Sequence, residues 1–380
     1  MLVQSALSSL FARANEVGVA GTFQFVFSDK ERFWICPPTM RQAQPGVHPN
    51  ADVTIELEQS AFIAIMQGLA DVEALFAQGR LRIKGRMGLA TLLPQLLEAA
   101  LHPGVSRPGV EMNTRYPAVP RFSEKLSAAV TMRGPVERRP ARQVSLEAFT
   151  LEYRANGIPL VLTEALEEWP LFKMPRHTAI EYLSDVQGIT RHGHYAQKAF
   201  SSEREFRTTA LRDFAAHIAQ SSEHGSEEPP AYMGNNQVPE QWLQLIRFPP
   251  YFHHSLYISP RFWLGPKGTL TPLHRDDTDN LFAQVWGEKS MLLAAPHHRE
   301  ALGCWATSPL GGLEGCDFDP DNPDFEGFPA ARDVEFLHVH LGPGDLLFLP
   351  EGWFHQVTSL STSLSINFWV NSHRNRAKSA

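Results

Sequence analysis

The sequence holds only three cysteines in 380 residues, Cys36, Cys304 and Cys316. That is too few for a disulfide framework, and the spacing does not suit a cysteine-ligated zinc site. Free thiols fit a reducing compartment, so a cytoplasmic location is expected; whether Cys304 and Cys316 pair depends on how closely their backbones approach. There is no surplus of positive charge either. Lys and Arg number 34 against 41 Asp and Glu, a net charge of -7, which argues against a general grip on nucleic acid. No apolar run reaches the roughly 18 residues that span a bilayer. The opening MLVQSALSSLFARANEVG lacks a basic start followed by an apolar block, so no signal peptide is expected. Internal repeats and low-complexity tracts are missing as well. What is there is ordinary for a soluble globular protein, 43% hydrophobic and 20% charged, in a chain long enough for two domains.

Hydrophobic patterning divides the chain into three parts. Residues 1–105 read as a small α+β domain. An amphipathic helix over 1–16 carries Val3, Leu7, Leu10, Phe11 and Ala14. Thr22–Phe27 and Glu31–Cys36 form a hairpin, and Ala51–Leu57 alternates like a strand. Helices follow at Ser60–Gln67 and Val72–Gln78, then a strand at Leu81–Lys84 and an apolar helix over Met87–Leu101. Its leucines, Leu89, Leu92, Leu93, Leu96 and Leu97, form a stripe that serves either as core or as the wall of an apolar ligand tunnel. Residues 106–143 are rich in Pro and Arg with no sustained apolar period, and read as a linker. Residues 144–372 open with a helix (Ser145–Asn156) and an extended Leu160–Thr163. Polar helical material follows to about residue 225. Short apolar runs then alternate with Pro/Gly turns: Leu281–Val285, Ser290–Ala294, Phe336–Leu341, Asp345–Leu349 and Leu364–Val370, the pattern of a β-roll or barrel.

The chemistry gathers in the last part. In Thr271-Pro272-Leu273-His274-Arg275-Asp276, residues two apart on a strand project to one side, so His274 and Asp276 can point into one cavity. His355, after a Gly342-Pro343-Gly344-Asp345 turn, a strand and a second turn, is the candidate for a third ligand. Two histidines and one carboxylate leave open coordination positions, as in non-haem Fe(II) oxygenases. An isolated His-x-Asp also occurs on solvated strands, so the pair alone does not decide. The other histidines, His192, His194, His253, His254, His297, His298, His338 and His340, lack such a companion set and read as surface or core residues.

Two resemblances sharpen this. Ala51-Asp52-Val53, Gly68, Leu75-Phe76, Gly79-Arg80-Leu81, Lys84-Gly85 and Met87-Gly88 resemble the sterol-carrier-protein-2-like lipid-binding family over roughly residues 10–100. That implies a curved sheet backed by helices, with lipid as a possible occupant. His274, Asp276, Asn280, Lys289, the Pro-Gly-Asp turn, His355 and Asn367 resemble the JmjC-type, cupin-like hydroxylases of asparaginyl-hydroxylase type over roughly residues 145–370. This resemblance implies a two-domain α+β chain whose C-terminal part is a double-stranded β-helix (cupin jelly roll) with flanking helices. It implies Fe(II) on His274, Asp276 and His355, with 2-oxoglutarate and O2 as cosubstrates. Lys289, Thr271 and Tyr232 would meet the distal carboxylate of 2-oxoglutarate, and Asn280 and Asn367 would line its pocket. The expected activity is hydroxylation of a C–H bond in a hydrophobic small molecule or a peptide or protein side chain, the N-terminal domain aiding binding. Another metal-dependent cupin enzyme and a non-catalytic lipid- or ligand-binding protein are the competing readings. Lys289 with Thr271 tells against the first, and an intact ligand set against the second. No membrane span or nucleic-acid partner is expected, and oligomeric state stays open.

Overall fold

The computed structural model describes most of residues 3–100 and residues 135–370, apart from 183, 196–204, 222–228, 254–255, 258–259 and 307–312. The chain forms two compact units, one chiefly Met1–Val105 and one chiefly the remainder. Among the described residues no helix is long and apolar enough to cross a membrane.

In the first unit, β1 (Phe23–Phe27) and β2 (Arg32–Ile35) make the expected antiparallel hairpin. The short β3 (Gln44–Pro45), β4 (Val53–Leu57) and β5 (Leu81–Gly85) complete a sheet in the order β3-β2-β1-β4-β5. In β4 the inward residues Val53, Ile55 and Leu57 are buried while Thr54 and Glu56 are half-buried, as alternation demands. Glu56 meets Lys84 at 2.6 Å on the outer side. Helices α1 (Val3–Phe11) and α2 (Gln59–Met66) add to one core with the sheet. That core is aromatic: Phe11 and Phe23 lie 4.8 Å apart, and Phe62 packs on Phe25 and Phe27 at 6.1 and 5.5 Å. The expected helices Val72–Gln78 and Met87–Leu101 lie largely outside the described residues, but Leu89, Leu93, Leu96 and Leu97 are buried in this same core.

Residues 106–134 of the expected linker lie outside the described residues, and the first described strand of the second unit falls inside the rest of it. β6 (Glu137–Pro140) pairs in parallel with β7 (Leu160–Thr163), and Arg138 reaches Asp345 at 2.7 Å. Between them Ser145 caps the expected helix by accepting the Ala148 N–H. The helix widens to π geometry over Phe149–Arg154, aiming Phe149 at Tyr251 (4.3 Å) and Phe348 (4.7 Å). The stretch to residue 225 departs from the helical expectation. Helices occupy Arg176–Tyr182 and Leu211–Ser221, but β8 (Gln187–His192) and β9 (Glu205–Ala210) form an antiparallel hairpin. Both strands are polar and partly exposed, so no apolar period announces them.

Two larger sheets face each other as a jelly roll. One contains β10 (Met233–Gln237), β11 (Arg261–Gly265), β13 (Asp279–Trp286), β18 (Leu346–Leu349) and β20 (Ser363–Val370), continued by β7 and β6. The other contains β12 (Leu270–Asp276), β14 (Lys289–Ala294), β15 (Cys304–Ala306), β16 (Leu313–Cys316), β17 (Leu337–Leu341) and β19 (Phe354–Ser359). Phe282, Leu347 and Leu349 from the first meet Met291, Leu293, Val339 and Val357 from the second in a shared core. β13 lies between β18 and β20, and every one of its residues is buried. All five apolar runs marked in the sequence are strands here. Cys304 and Cys316 are cross-strand partners with Sγ atoms 2.8 Å apart, both as thiols.

Candidate functional site

His274 and Asp276 stand two residues apart on β12, and His355 is the register partner of His274 on β19. Antiparallel pairing thus places two imidazoles directly opposite each other, ring centroids 4.1 Å apart. One ligand atom from each of the three residues lies within 4.8 Å of the others, and His355 Nε2 is 3.9 Å from Asp276 Oδ2. Both Nδ1 atoms face backbone carbonyls, His274 at Pro272 (2.7 Å) and His355 at Trp353 (3.1 Å). A carbonyl only accepts, so each Nδ1 carries the proton and each Nε2 lone pair is left for a metal. Trp369 donates its indole N–H to Asp276 Oδ2 at 2.9 Å, holding the carboxylate's orientation.

The electrostatics suit a divalent cation. Burial first, then His355 and the charge of Arg191, push the His274 imidazole well below its ordinary range, so it stays neutral. Burial raises the Asp276 carboxyl while His355 and Trp369 pull it back. A metal would relieve that desolvation directly. Among the described residues this is the one group of three such side chains close enough to hold an ion.

Beside it lies a second polar group. Gly287, at φ 63°, turns the chain from β13 into β14; a Cβ there would fall 2.2 Å from the Thr362 carbonyl oxygen. This tight turn delivers Lys289, fully buried, at the start of β14. Its ammonium donates to Tyr232 Oη at 3.2 Å, and Tyr232 in turn bonds Thr271. Burial alone brings Lys289 down to about 7. Asn280 on β13 and Asn367 on β20 each bury a side-chain oxygen for which no hydrogen-bond partner exists among the described residues. A buried ammonium and two unsatisfied amides are costly unless a polar ligand completes them. An acid such as 2-oxoglutarate fits that need.

The structure therefore brings together His274, Asp276 and His355, and next to them Lys289, Tyr232 and Thr271. Sequence reasoning missed Trp369, although it shares the face of Asn367 on β20 and period-two alternation would have found it. It also missed Arg191, whose polar strand carries no such signal. Among the described residues, no other histidine joins this group. His338 and His340 are exposed on β17, His340 lies 3.2 Å from Glu288, and His192 bonds Thr190 at 2.8 Å.

Comparison with known proteins agrees with this geometry. Residues 12–98 match the SCP-2 sterol transfer family, and residues 146–376, more than half of the chain, match the cupin-like domain. Lysine-specific demethylase JMJ30 of Arabidopsis thaliana is 30% identical over 62% of this chain and 54% of its own length. Jumonji C domain-containing protein 5 of Drosophila melanogaster is 29% identical over 59% and 57%, and Lysine-specific demethylase 8 of Xenopus tropicalis 28% over 59% and 51%. The chain spans about half the length of the curated relatives it matches. On the jelly roll, its histidine–aspartate–histidine centre and the extent of the family match, the chain belongs to the cupin-like, JmjC-related family, with an SCP2-like domain at its N-terminal end.

Proposed function

We propose that this chain is an Fe(II)- and 2-oxoglutarate-dependent dioxygenase that hydroxylates a substrate C–H bond. The observation that carries this reading is the juxtaposition of three ligand atoms within 4.8 Å with a buried lysine whose described hydrogen bond is to a phenol. His274, Asp276 and His355 would hold iron on one face, leaving about three positions for cosubstrate and oxygen. When bound, iron with 2-oxoglutarate supplies the oxidation of the substrate. The chain's own part is positional. Lys289, Tyr232 and Thr271 would anchor the distal carboxylate, and Asn280 and Asn367 would satisfy the remaining polar edge. Pro272 and Trp353 carbonyls fix the imidazole tautomers, while the surrounding jelly-roll core keeps bulk water from the centre. The SCP2-like domain would aid capture of an apolar substrate or its carrier group.

The test is substrate-dependent succinate formation by the iron-loaded full chain, scored against a metabolite and peptide panel. Succinate that requires iron and 2-oxoglutarate, and is lost in His274→Ala, supports the reading. Hydroxylation of an N-methyl carbon would also release formaldehyde, as demethylation requires, so measuring formaldehyde separates that outcome from a stable hydroxyl product. Absence of 2-oxoglutarate binding to the metal-loaded chain would sink the proposal.

A further inference from the structure

Cys304 and Cys316 take no part in the centre described above, yet they stand as a built pair. They are register partners on β15 and β16, with Sγ atoms 2.8 Å apart. The phase of the ladder explains the approach. One pair outward, the Asp317 N–H donates to the Gly303 carbonyl at 3.2 Å, while the Cys304 N–H turns instead to the Arg299 carbonyl at 3.4 Å. The two cysteines therefore occupy a non-hydrogen-bonded position, where antiparallel Cα atoms are about 4.5 Å apart and side chains come closest. A disulfide accepts Cα separations of about 4.4–6.8 Å, so this backbone can be bridged as it stands. The strand pair is also braced without sulfur, because Trp305 Nε1 donates to Asp317 Oδ1 at 2.9 Å.

The place of the pair in the fold bears on what it can do. β15 is the last strand of its sheet, and both cysteines are half-buried thiols. They pack against an apolar cluster that includes Leu273 and Phe354, the chain neighbours of His274 and His355. The Cys304 sulfur, then burial, push the Cys316 thiol well above its ordinary range, so Cys316 keeps its proton while the pair is reduced. The geometry points to Cys304 and Cys316 as a reversible oxidation site, a dithiol that a peroxide converts to a cross-strand disulfide stapling the edge strand β15 to β16. The site does not depend on the oxygenase reading. In the first step Cys304 Sγ attacks the peroxide O–O bond, giving a sulfenic acid and one water from hydrogen peroxide. Cys316 Sγ then displaces hydroxide from that sulfur, and its own proton leaves with the hydroxide as a second water. Two thiols are oxidised by two electrons, and the peroxide is reduced. Because the sulfurs already face each other in register, the bridge forms without shifting β16 from β12, and the three metal ligands stay in place.

The test uses the full chain, reduced and stripped of metal with a chelator so that chemistry at the centre cannot contribute. Hydrogen peroxide is added in small molar excess, remaining thiols are capped with iodoacetamide, and the chain is mapped by mass spectrometry. The expected product has lost two hydrogens, carries a peptide cross-link between Cys304 and Cys316, and has Cys36 capped as a free thiol. Dithiothreitol should reverse the change. The bridge should raise the thermal midpoint of the second unit by roughly 4–8 °C, the effect of a disulfide closing a short loop in a unit of this size. Cys304→Ser and Cys316→Ser should each lose both the cross-link and the peroxide-induced rise. Mn(II) affinity should be the same before and after oxidation of the native chain. Capping of both Cys304 and Cys316 after peroxide, or a bridge to Cys36 or to a second copy, would overturn the inference. So would an oxidised chain with an unchanged midpoint, or one that has lost Mn(II) binding.

Discussion

On the proposed oxygenase reading, in which Lys289 anchors the cosubstrate, binding is a proton-linked event. Burial holds its ammonium at about 7, far below an ordinary lysine, so in the ligand-free chain it is mostly charged at pH 6 and mostly neutral at pH 8. A carboxylate needs the charged form, and binding at alkaline pH must recruit a proton. The dissociation constant for 2-oxoglutarate should therefore be nearly flat below pH 6 and rise toward about tenfold per pH unit above 7. At pH 8 binding should take up about 0.9 proton, the fraction neutral before binding. The ligand-free protein should show the opposite tendency. Its lysine is depressed in the folded state, so the unfolded chain binds the proton more readily between about 7 and the ordinary lysine range. Stability then rises with pH through that window, and the full desolvation cost is present below it. Titration calorimetry in buffers of different ionisation enthalpy, on the Mn(II)-loaded chain, counts the protons. Lys289→Met should weaken binding roughly ten- to a hundredfold at pH 6 and flatten the pH profile. Unchanged affinity from pH 6 to 9 without proton uptake would refute the reasoning, as would full affinity in Lys289→Met.

Three further outcomes follow from the same geometry. His274→Ala, Asp276→Ala and His355→Ala should each lose tight iron binding while keeping the far-ultraviolet circular dichroism of the native chain, because each removes one of three ligands; any variant with native iron affinity displaces that residue from the set. Trp369→Phe deletes the 2.9 Å hydrogen bond to Asp276 and should weaken metal affinity by roughly ten- to a hundredfold with little change in fold, measurable by competition with a metal-sensitive dye. Phe25→Ala opens the first unit's aromatic core, where Phe11, Phe27 and Phe62 surround it, and should cost about 3–5 kcal/mol; calorimetry should show lower thermal stability with metal binding intact.

The centre was largely legible because its geometry follows strand arithmetic. A two-residue interval on one strand placed His274 and Asp276 on a common side, and the turn before His355 returned it to the same place. Lys289, Tyr232 and Thr271, which the resemblance assigned to one carboxylate, lie in hydrogen-bond contact with one another. The expected linker was harder, because β6 is short, polar and held as much by the Arg138–Asp345 ion pair as by its own pattern. The β8–β9 hairpin stayed hidden for the same reason, and with it Arg191. Its placement depends on pairing with Tyr232 and stacking on Trp263, contacts between residues 41 and 72 positions apart, which no local period records. In the first unit, the leucines that allow either a tunnel or a core reading are buried with the phenylalanines where the chain is described.

The direct opposition of His274 and His355 ties metal capture to the order in which the chain assembles. The two residues are 81 positions apart and become neighbours only when β19 docks beside β12 in its final register. A slip of one residue would turn either strand's imidazole to the opposite face. A roll without that register cannot offer both nitrogens to one ion, so the free energy of binding accrues only to chains in which β12 and β19 have paired. Closing so long a loop is a slow, late step in folding, so iron should reach full affinity late, and its uptake would mark the moment at which β19 has paired with β12.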